Sequence, residues 1–185
     1  MNVASDRAAT RAEILRRAAE ALCHNPGLGM SKLTKVIGVS RATLYRYFAS
    51  REALIHELAV EAIRATDEAA EGIFVGAATY AEAFRRLLGA MIPLGATYHF
   101  LSREMALYDD ETVMAEARRQ EQQMADLIDA AKAVGEITSA LPTRWVAKQF
   151  DLVVWLAWSE AGETDQDPAE LTEIAFHSFW SGVAP

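Results

Sequence analysis

The sequence predicts an all-α fold of about nine helices, with three helices in an amino-terminal head and the others in a larger body. Along most of the chain, apolar residues recur at the three- and four-residue intervals of helices. No segment shows the sustained apolar–polar alternation between turn residues that is typical of strands and hairpins. Capping residues, glycines and prolines recur at spacings that begin and end helices.

The first two helices are followed by strong stop signals. Periodic apolar residues place the first helix over about 7–24, and Asn25-Pro26-Gly27 ends it. A second, shorter helix is expected over 31–37. Gly38 ends this helix because glycine readily adopts the left-handed backbone conformation.

Serine and threonine caps begin the next helices. Ser40 caps a short third helix, and Ser50 caps a longer fourth one. Thr79 lies three residues before Glu82, which is the spacing of a capping box. The helix that Thr79 opens is expected to bend or break around Pro93, since proline removes a backbone donor.

Three helices are expected after residue 109. One runs over 110–134 with mostly polar faces, and another runs over 142–161. The last begins at Asp167-Pro168-Ala169-Glu170, which combines an N-cap, a first-turn proline and an early acidic residue, and continues through Trp180. The inward stripe of the helix over 142–161 is assigned to Trp145, Leu152, Val153 and Leu156.

Composition and charge narrow the class of protein. With 185 residues, 51% of them apolar and 24% charged, the chain is expected to fold into at most two domains. The net charge is −8, yet residues 1–60 carry a net +4 and residues 61–185 a net −12. This asymmetry favours a nucleic-acid contact confined to the amino-terminal end, and ordinary fluctuation of charge along a chain is the alternative.

The cytoplasm is the expected compartment. The longest apolar run, over 152–158, is much shorter than the roughly 18 to 20 residues that cross a bilayer. The amino terminus lacks the apolar segment of a secretion signal. Cys23 is the single cysteine and cannot form an internal disulfide; it is expected to act as a small hydrophobic residue, with redox sensing as the alternative.

The second and third helices have the proportions of a helix-turn-helix. Gly38 makes the turn, Val39 fills the angle between the helices and Ser40 caps the third helix. In such a motif the second of the two helices presents its amino-terminal residues to the DNA major groove. Leu44 and Phe48 lie four residues apart and are expected to form the buried rear of this helix.

The stretch GVSRATLYRYF over 38–48, followed by SREAL over 50–54, closely resembles the signature of TetR-type transcriptional regulators. The resemblance covers about residues 7–60. It implies a homodimer whose subunits each have a DNA-binding head, over 1–52, and a ligand-binding and dimerisation body, over 53–185. The expected partners are double-stranded DNA with a palindromic operator, a second copy of the chain and a small-molecule effector, and no membrane.

The resemblance also implies which head residues bind DNA. Some would contact bases or phosphates near the start of the third helix, Tyr47 would bind a phosphate through its hydroxyl, and Arg51 would do so by charge. The full set of expected DNA-binding residues is Ser40, Arg41, Thr43, Tyr45, Tyr47, Arg51, Lys32 and Lys35.

Alternatives remain for these head residues. Tyr45, Tyr47 and Phe48 would be plain core aromatics if the arginines were merely solvated, but a helix cannot fully bury both members of the adjacent pair Tyr47 and Phe48. The second helix would be capped by Gly29 or Ser31. The family usually has a hydroxyl residue at position 29 and alanines where this chain has Thr34 and Ile37, and these departures affect the packing of that helix.

A ligand pocket is expected from aromatic and methionine residues in the body. Tyr98, His99 or Tyr108 would fix the polar end of a ligand. Ordinary core packing is the alternative for each of these residues. The expected ligand-binding residues are Phe84, Met91, Tyr98, His99, Met105, Tyr108, Met124 and Ile128.

The last two helices carry all four tryptophans of the chain. This is more aromatic surface than one small core requires, so a self-complementary interface of two helices from each subunit is expected. Trp145 and Phe150 could instead form a wall of the pocket. The expected dimer-interface residues are Trp155, Trp158, Phe176, Phe179 and Trp180.

Enzymatic function is not expected. The sequence has no Gly-rich phosphate loop, no Cys/His metal spacing and no nucleophile elbow, so neither a catalytic residue, a metal nor a cofactor is predicted. The expected function is that of a homodimeric repressor released from its operator by a small, mostly apolar effector. A constitutive or architectural DNA-binding dimer is the alternative, and an enzyme or carrier that keeps the same fold is a third possibility.

Overall fold

The computed structural model describes residues 3–96, 109–164 and 166–185, with side chains from Arg11 onward. These ranges contain eight α-helices, one 3₁₀ helix and no strand, which confirms the all-α prediction. The helix Tyr80–Met91 gives way to the short 3₁₀ helix Ile92–Leu94, which contains Pro93, the residue at which a bend or break was predicted. The α-helices are α1 Val3–His24, α2 Met30–Ile37, α3 Arg41–Tyr47, α4 Arg51–Ala70, α5 Tyr80–Met91, α6 Glu111–Ala133, α7 Thr143–Glu163 and α8 Pro168–Val183.

The chain divides into two compact units. The first comprises Met1–Ile63 with Ala96–Met114, and the second comprises Arg64–Gly95 with Ala115–Pro185. Helices α4 and α6 each begin in the first unit and end in the second. The predicted domain boundary at residue 52 stays a prediction.

The core of the first unit is built from α1 to α4. Leu44 is fully buried and Phe48 is 1% exposed, so the predicted rear of α3 is confirmed. Val113, in the first turn of α6, is buried in the same cluster. The other fully or nearly fully buried side chains of this core include Ala18, Leu22, Leu33, Leu54, Ile55, Leu58 and Ala59.

Side-chain caps begin several helices at the predicted residues. The Ser40 hydroxyl accepts from the Thr43 amide at 3.0 Å, and the Thr79 hydroxyl accepts from the Glu82 amide at 3.1 Å. The Asp167 carboxylate accepts from the Ala169 amide at 2.7 Å. Each cap satisfies a first-turn amide that the helix itself leaves unpaired.

Asp110 anchors the start of α6 within the first unit. Its carboxylate accepts from the Val113 amide at 3.1 Å, and His56 Nδ1 on α4 lies 2.5 Å from the other oxygen. The amide hydrogen bond from Val113, followed by the hydrogen bond with His56, holds the pKa of Asp110 below its ordinary value. The cap is therefore ionised at neutral pH.

An aromatic cluster fills the second unit. Phe84 and Phe179 are completely buried, with ring centroids 5.5 Å apart. Phe150 meets Phe179 edge-on at 5.5 Å, and Trp180 lies 5.9 Å from Phe84. Offset and edge-on arrangements are the favourable geometries of aromatic pairs. Helices α5, α7 and α8 therefore share one core.

The predicted inward stripe of α7 was wrong. Trp145 and Leu152 are each 62% exposed and Leu156 is 50% exposed. The buried residues of α7 are instead Val146, Phe150, Val154 and Ala157. Both sets recur at helical spacing, because α7 is apolar around much of its circumference, so periodicity alone could not select the buried face.

Gly95 gives a test of the packing in the second unit. A Cβ at this position would lie 2.5 Å from Cβ and 2.7 Å from Cγ of Trp158, and the position of that Trp158 Cβ is fixed by the α7 backbone. We expect Gly95→Ala to lower the free energy of unfolding by about 1–3 kcal/mol, as overpacking does. Equilibrium urea denaturation measures this difference.

Gly162→Ala is the matched control for Gly95. Gly162 lies within α7, and a Cβ there would meet open space. Alanine favours helix over glycine by up to about 1 kcal/mol, so this variant should be as stable as the wild type or slightly more so. Equal stability of the two variants would contradict the close packing of Gly95 on Trp158.

No helix in the described part of the chain is both long enough and apolar enough to cross a bilayer. Across the same residues, no group of histidine, cysteine, aspartate and glutamate side chains is arranged to hold a metal ion.

Candidate DNA-binding surface

The turn between α2 and α3 has the geometry that the sequence indicated. Gly38 has φ 72° and ψ 32°, which is the left-handed region that glycine adopts at little cost. The Val39 amide donates to the Thr34 carbonyl at 3.1 Å, and the Val39 side chain packs against the core of the first unit. The angle between the two helices is therefore fixed by the backbone turn at Gly38 and by the packing of the Val39 side chain.

Helix α2 buries Thr34 and Ile37, the two residues that stand where the family usually has alanines. Ile37 is 3% exposed and joins the core, while Thr34 is 8% exposed and donates its hydroxyl proton to the Ser31 carbonyl at 2.9 Å. Gly29 is the N-cap and supplies no side-chain hydrogen bond. Lys32 and Lys35 are both exposed on this helix.

At the start of α3 the hydroxyl groups of Ser40 and Thr43 are hydrogen-bonded to each other. Ser40 Oγ accepts from the Thr43 amide and lies 2.8 Å from Thr43 Oγ1. Ser40 is exposed and Thr43 is half-buried. These two predicted DNA-binding residues are therefore fixed relative to each other at the amino-terminal end of the helix, which is the end that enters the major groove in helix-turn-helix proteins.

The outward face of α3 carries two arginine–aromatic pairs. The Arg41 guanidinium carbon lies 5.3 Å from the ring centroid of Tyr45, and that of Arg46 lies 4.9 Å from the ring of Tyr47. Arg46 also donates to the Tyr47 hydroxyl at 3.4 Å. Arg41, Tyr45 and Arg46 are exposed, whereas Leu44 on the opposite face is buried. Arg46 was not among the predicted DNA-binding residues, and it lies on the same exposed face of α3 as Arg41 and Tyr45.

Tyr47 is half-buried. Its ring packs against the core of the first unit, 6.3 Å from the ring of Phe48. This placement agrees with the expectation that a helix buries only one member of the pair completely. A ring anchored in this way holds its hydroxyl in one region of the surface, which suits a directional hydrogen bond.

Arg51 has a structural role that the sequence did not reveal. Its guanidinium donates to the Pro26 carbonyl at 2.8 Å and to the Leu28 carbonyl at 3.4 Å. The side chain thus ties the start of α4 to the loop between α1 and α2. Its charge remains near the surface, because Arg51 is half-buried, so the predicted phosphate contact stays a prediction.

Carboxylates neutralise much of the basic charge on α1. Arg16 and Arg17 both donate to Glu13, at 2.9 and 2.7 Å, and these bonds lower the pKa of Glu13 to about 2. Arg11 pairs with Glu57 at 2.5 Å. On α4, hydrogen bonds from its own amide and then from Ser50 hold the pKa of Glu52 below its ordinary value. Among the described residues, Lys32, Lys35, Arg41 and Arg46 of α2 and α3 form no ion pair with a carboxylate.

The predicted ligand-binding residues fall into two groups. Tyr98, His99, Met105 and Tyr108 lie outside the described residues. Of the others, Phe84 and Ile128 are completely buried and Met91 is 8% exposed, so they belong to the core of the second unit. Met124 is half-buried against the same core. Their contact with a ligand stays a prediction.

One predicted dimer residue needs correction. Phe179 is completely buried within its own protomer, so it has no surface to offer a partner. Phe176 is 8% exposed and stacks on Trp180 at 5.7 Å. Trp155, Trp158 and Trp180 are half-buried, and their place in an interface stays a prediction.

The apolar surface of α7 and α8 lies elsewhere on these helices. Leu156 and Ile174 are 50% and 51% exposed and border a groove of about 300 Å³ between the two helices. Leu152, one turn before Leu156, is also exposed. The sequence did not predict that these three side chains are exposed: Leu152 and Leu156 were assigned to the inward stripe, and Ile174 was given no role. The groove is lined by Val153, Leu156, Ala157, Glu160, Gln166, Leu171, Ile174, Ala175 and Ser178.

Residues 14–58 match the family model described as bacterial regulatory proteins, tetR family. No curated protein matches the chain significantly. Among solved structures, the regulator LfrR from Mycobacterium smegmatis in complex with proflavine is 21% identical, with a TM-score of 0.72 over 98% of this chain and 99% of its own.

Two further solved structures are similar to the chain. The ketosteroid transcriptional regulator KstR2 of Mycobacterium tuberculosis is 16% identical, with a TM-score of 0.75 over 95% of both chains. PfmR, a TetR family regulator from Thermus thermophilus, is 20% identical, with a TM-score of 0.64 over 91% of this chain and 97% of its own. The solved structures confirm the fold, and the family model over residues 14–58 confirms the resemblance inferred from the amino-terminal sequence.

Proposed function

We propose that this chain, whose amino-terminal motif and fold are those of the TetR-type transcriptional regulators, is a homodimeric repressor that a small, mostly apolar effector releases from a palindromic operator. The observation that carries the proposal is the division of α3 into two faces. Leu44 is buried, while Arg41, Tyr45 and Arg46 are displayed to solvent beside a capped helix start. This is the arrangement needed for α3 to enter the major groove.

The remaining DNA-binding residues would position the protein on the phosphate backbone. Lys32 and Lys35 are exposed on α2, and Tyr47 holds its hydroxyl at the edge of the first unit. Phosphate contacts of this kind orient a protein on the duplex but carry no sequence information. Ser40 and Thr43 would contact the backbone or a base edge at the start of α3.

A second copy of the chain would cover the apolar surface of α7 and α8. Leu152, Leu156 and Ile174 expose large aliphatic side chains on two adjacent helices, where a monomer would leave them in water. Pairing these helices with their symmetry mates would make a four-helix bundle. A twofold dimer places two recognition helices on successive major grooves, about 34 Å apart or at multiples of that distance, which explains the expectation of a palindromic operator.

The proposed effector would bind in the body. The solved structure of LfrR holds proflavine, which supports a small-molecule ligand for a chain of this fold. The buried Phe84, Met91 and Ile128 provide an apolar environment in the second unit. Coupling of about 1–3 kcal/mol between effector and operator would change operator affinity about 5- to 150-fold.

The phosphate contact of Tyr47 is the test of the DNA-binding surface. We expect Tyr47→Phe to weaken binding about tenfold for operator and unrelated duplexes alike, because a hydrogen bond to a charged phosphate is lost while the ring stays packed. Fluorescence anisotropy with labelled duplexes, at several salt concentrations, measures this effect. Wild-type affinity should also fall steeply as salt rises.

Tyr80→Phe is the matched control, since Tyr80 is a half-buried tyrosine of the second unit. This variant should bind DNA as the wild type does. Binding that ignored both salt and Tyr47→Phe would refute the phosphate contact. Release of the operator by members of a small-molecule library would support the effector, whereas operator binding unaffected by any of them would favour the constitutive dimer.

A further inference from the structure

Arg41 is the first residue of α3, and its guanidinium lies over the ring of Tyr45, one helical turn later. The distance from the guanidinium carbon to the ring centroid is 5.3 Å, and both side chains are exposed. A cation this close to the face of a tyrosine ring is attracted by it, even at an exposed site. The face of the ring attracts the positive charge of the guanidinium, so the contact limits the side chain's movement and leaves its N–H donors available for hydrogen bonds.

The other described arginines of α1 and α4 in the first unit are engaged differently. Arg16 and Arg17 donate to Glu13, and Arg51 donates to backbone carbonyls. Within the described residues, no carboxylate or carbonyl accepts from Arg41. Its donors are therefore directed at solvent from the end of α3 that enters the major groove.

Arg46 is less well placed to read a base. It lies in the last turn of α3 and already donates to the Tyr47 hydroxyl. In helix-turn-helix proteins, base contacts come mainly from the amino-terminal residues of the recognition helix. Arg41 is the described arginine that combines this position with uncommitted donors.

A planar guanidinium with parallel donors matches one base edge in particular. Guanine presents two acceptors in the major groove, N7 and O6, and bidentate arginine to this pair is the commonest specific contact to DNA. Lysine keeps the charge but lacks the fork. A guanidinium already held against an aromatic ring loses less freedom when it makes such a contact.

We propose that Arg41, held by its stack on Tyr45, reads a guanine in each half-site of the operator. The inference rests on the proposed DNA-binding function and deepens it, because it names the base that the recognition helix selects. Tyr45 acts as a positioning residue: its ring orients the guanidinium, and its hydroxyl is not required.

The first step of the test is to identify the half-site. Duplexes selected by the wild-type protein from a random pool give the preferred sequence. Each base pair of that sequence is then replaced in turn, and the dissociation constants are measured for the wild type, Arg41→Lys, Tyr45→Phe and Tyr45→Ala. Circular dichroism checks that each variant keeps its helical content.

We expect one G·C pair in each half-site to be preferred by the wild type about 5- to 150-fold over its replacements. Arg41→Lys should abolish that preference and leave the preferences at other positions unchanged. Tyr45→Ala should reduce the same preference about two- to fivefold, and Tyr45→Phe should retain it. Arg118→Lys, at an exposed arginine of α6, is the matched control and should behave as the wild type.

The outcomes separate this inference from the proposed function. If no duplex is selected and binding is independent of salt, DNA binding itself is refuted. If a half-site is selected but Arg41→Lys weakens all duplexes equally, Arg41 binds phosphate and the guanine assignment is overturned. If Tyr45→Phe loses the preference as fully as Tyr45→Ala, the tyrosine hydroxyl makes the contact and the positioning role is wrong.

Discussion

Replacing Leu156 with aspartate is expected to leave the protein monomeric and to weaken operator binding by roughly 10³-fold or more, toward the affinity for non-specific DNA. Leu156 is 50% exposed on α7 and borders the groove that α8 closes with Ile174. In the proposed four-helix bundle a symmetry-related copy covers this position. An aspartate there would be buried without a partner of opposite charge, which costs several kcal/mol.

The loss of the dimer explains the large effect on DNA. A dimer contacts both half-sites of a palindrome, whereas a monomer contacts one and keeps only part of the binding free energy. The fold of each protomer should survive, because Leu156 lies outside the core cluster of Val146, Phe150 and Val154. Sedimentation velocity gives the oligomeric state, and fluorescence anisotropy gives the affinity.

Val134→Asp is the control for Leu156→Asp. Val134 is 62% exposed, follows the end of α6 and is not among the residues that line the groove. It introduces the same charge at an exposed aliphatic residue and should leave a dimer with wild-type affinity. A dimeric Leu156→Asp protein with unchanged operator binding would show that this surface does not pair the subunits.

The second large effect is expected in the core of the second unit. Phe84→Ala should lower the free energy of unfolding by about 3–5 kcal/mol, which is typical of deleting a buried aromatic ring. Phe84 is completely buried, with the rings of Phe150, Phe179 and Trp180 within 6.0 Å of its centroid. Its removal would leave three aromatic neighbours facing a cavity.

Equilibrium urea denaturation, followed by tryptophan fluorescence and circular dichroism, measures the effect of Phe84→Ala. Phe74→Ala is the matched control, because Phe74 is 50% exposed and the same atoms are removed from a solvated position. The control should change stability by less than about 1 kcal/mol. Similar losses in the two variants would mean that Phe84 is not the centre of the aromatic core.

The head could be predicted from the sequence in detail because its signals are local. Ser40 as a cap depends on a hydrogen bond three residues away, and Gly38 as a turn depends on its own backbone angles. Leu44 lies within the short helix α3 and Phe48 is its C-cap, four residues later, so the helical spacing places both side chains on one face. These relations join residues at most four positions apart, so they do not depend on how the rest of the chain packs.

Arg41 and Arg51 show which side-chain contacts of the head could be predicted from neighbouring residues and which could not. Arg41 and Tyr45 lie one turn apart, so their pairing could be anticipated from the helix alone. Arg51 instead bonds carbonyls in the loop between α1 and α2, which lies more than twenty residues earlier in the chain. No spacing rule predicts such a contact, because it depends on how α4 packs beside that loop.

The helices of the second unit show what only the tertiary structure decided. The sequence by itself determined that α7 and α8 are helices, where they begin and that they are rich in large apolar residues. It could not determine that Phe179 is buried while Leu152, Leu156 and Ile174 are exposed. The physical reason is that a helix with apolar residues on several sides has no preferred inward face until its neighbours are in place. Packing against Phe84 of α5 made one face of these helices core and left Leu152, Leu156 and Ile174 exposed.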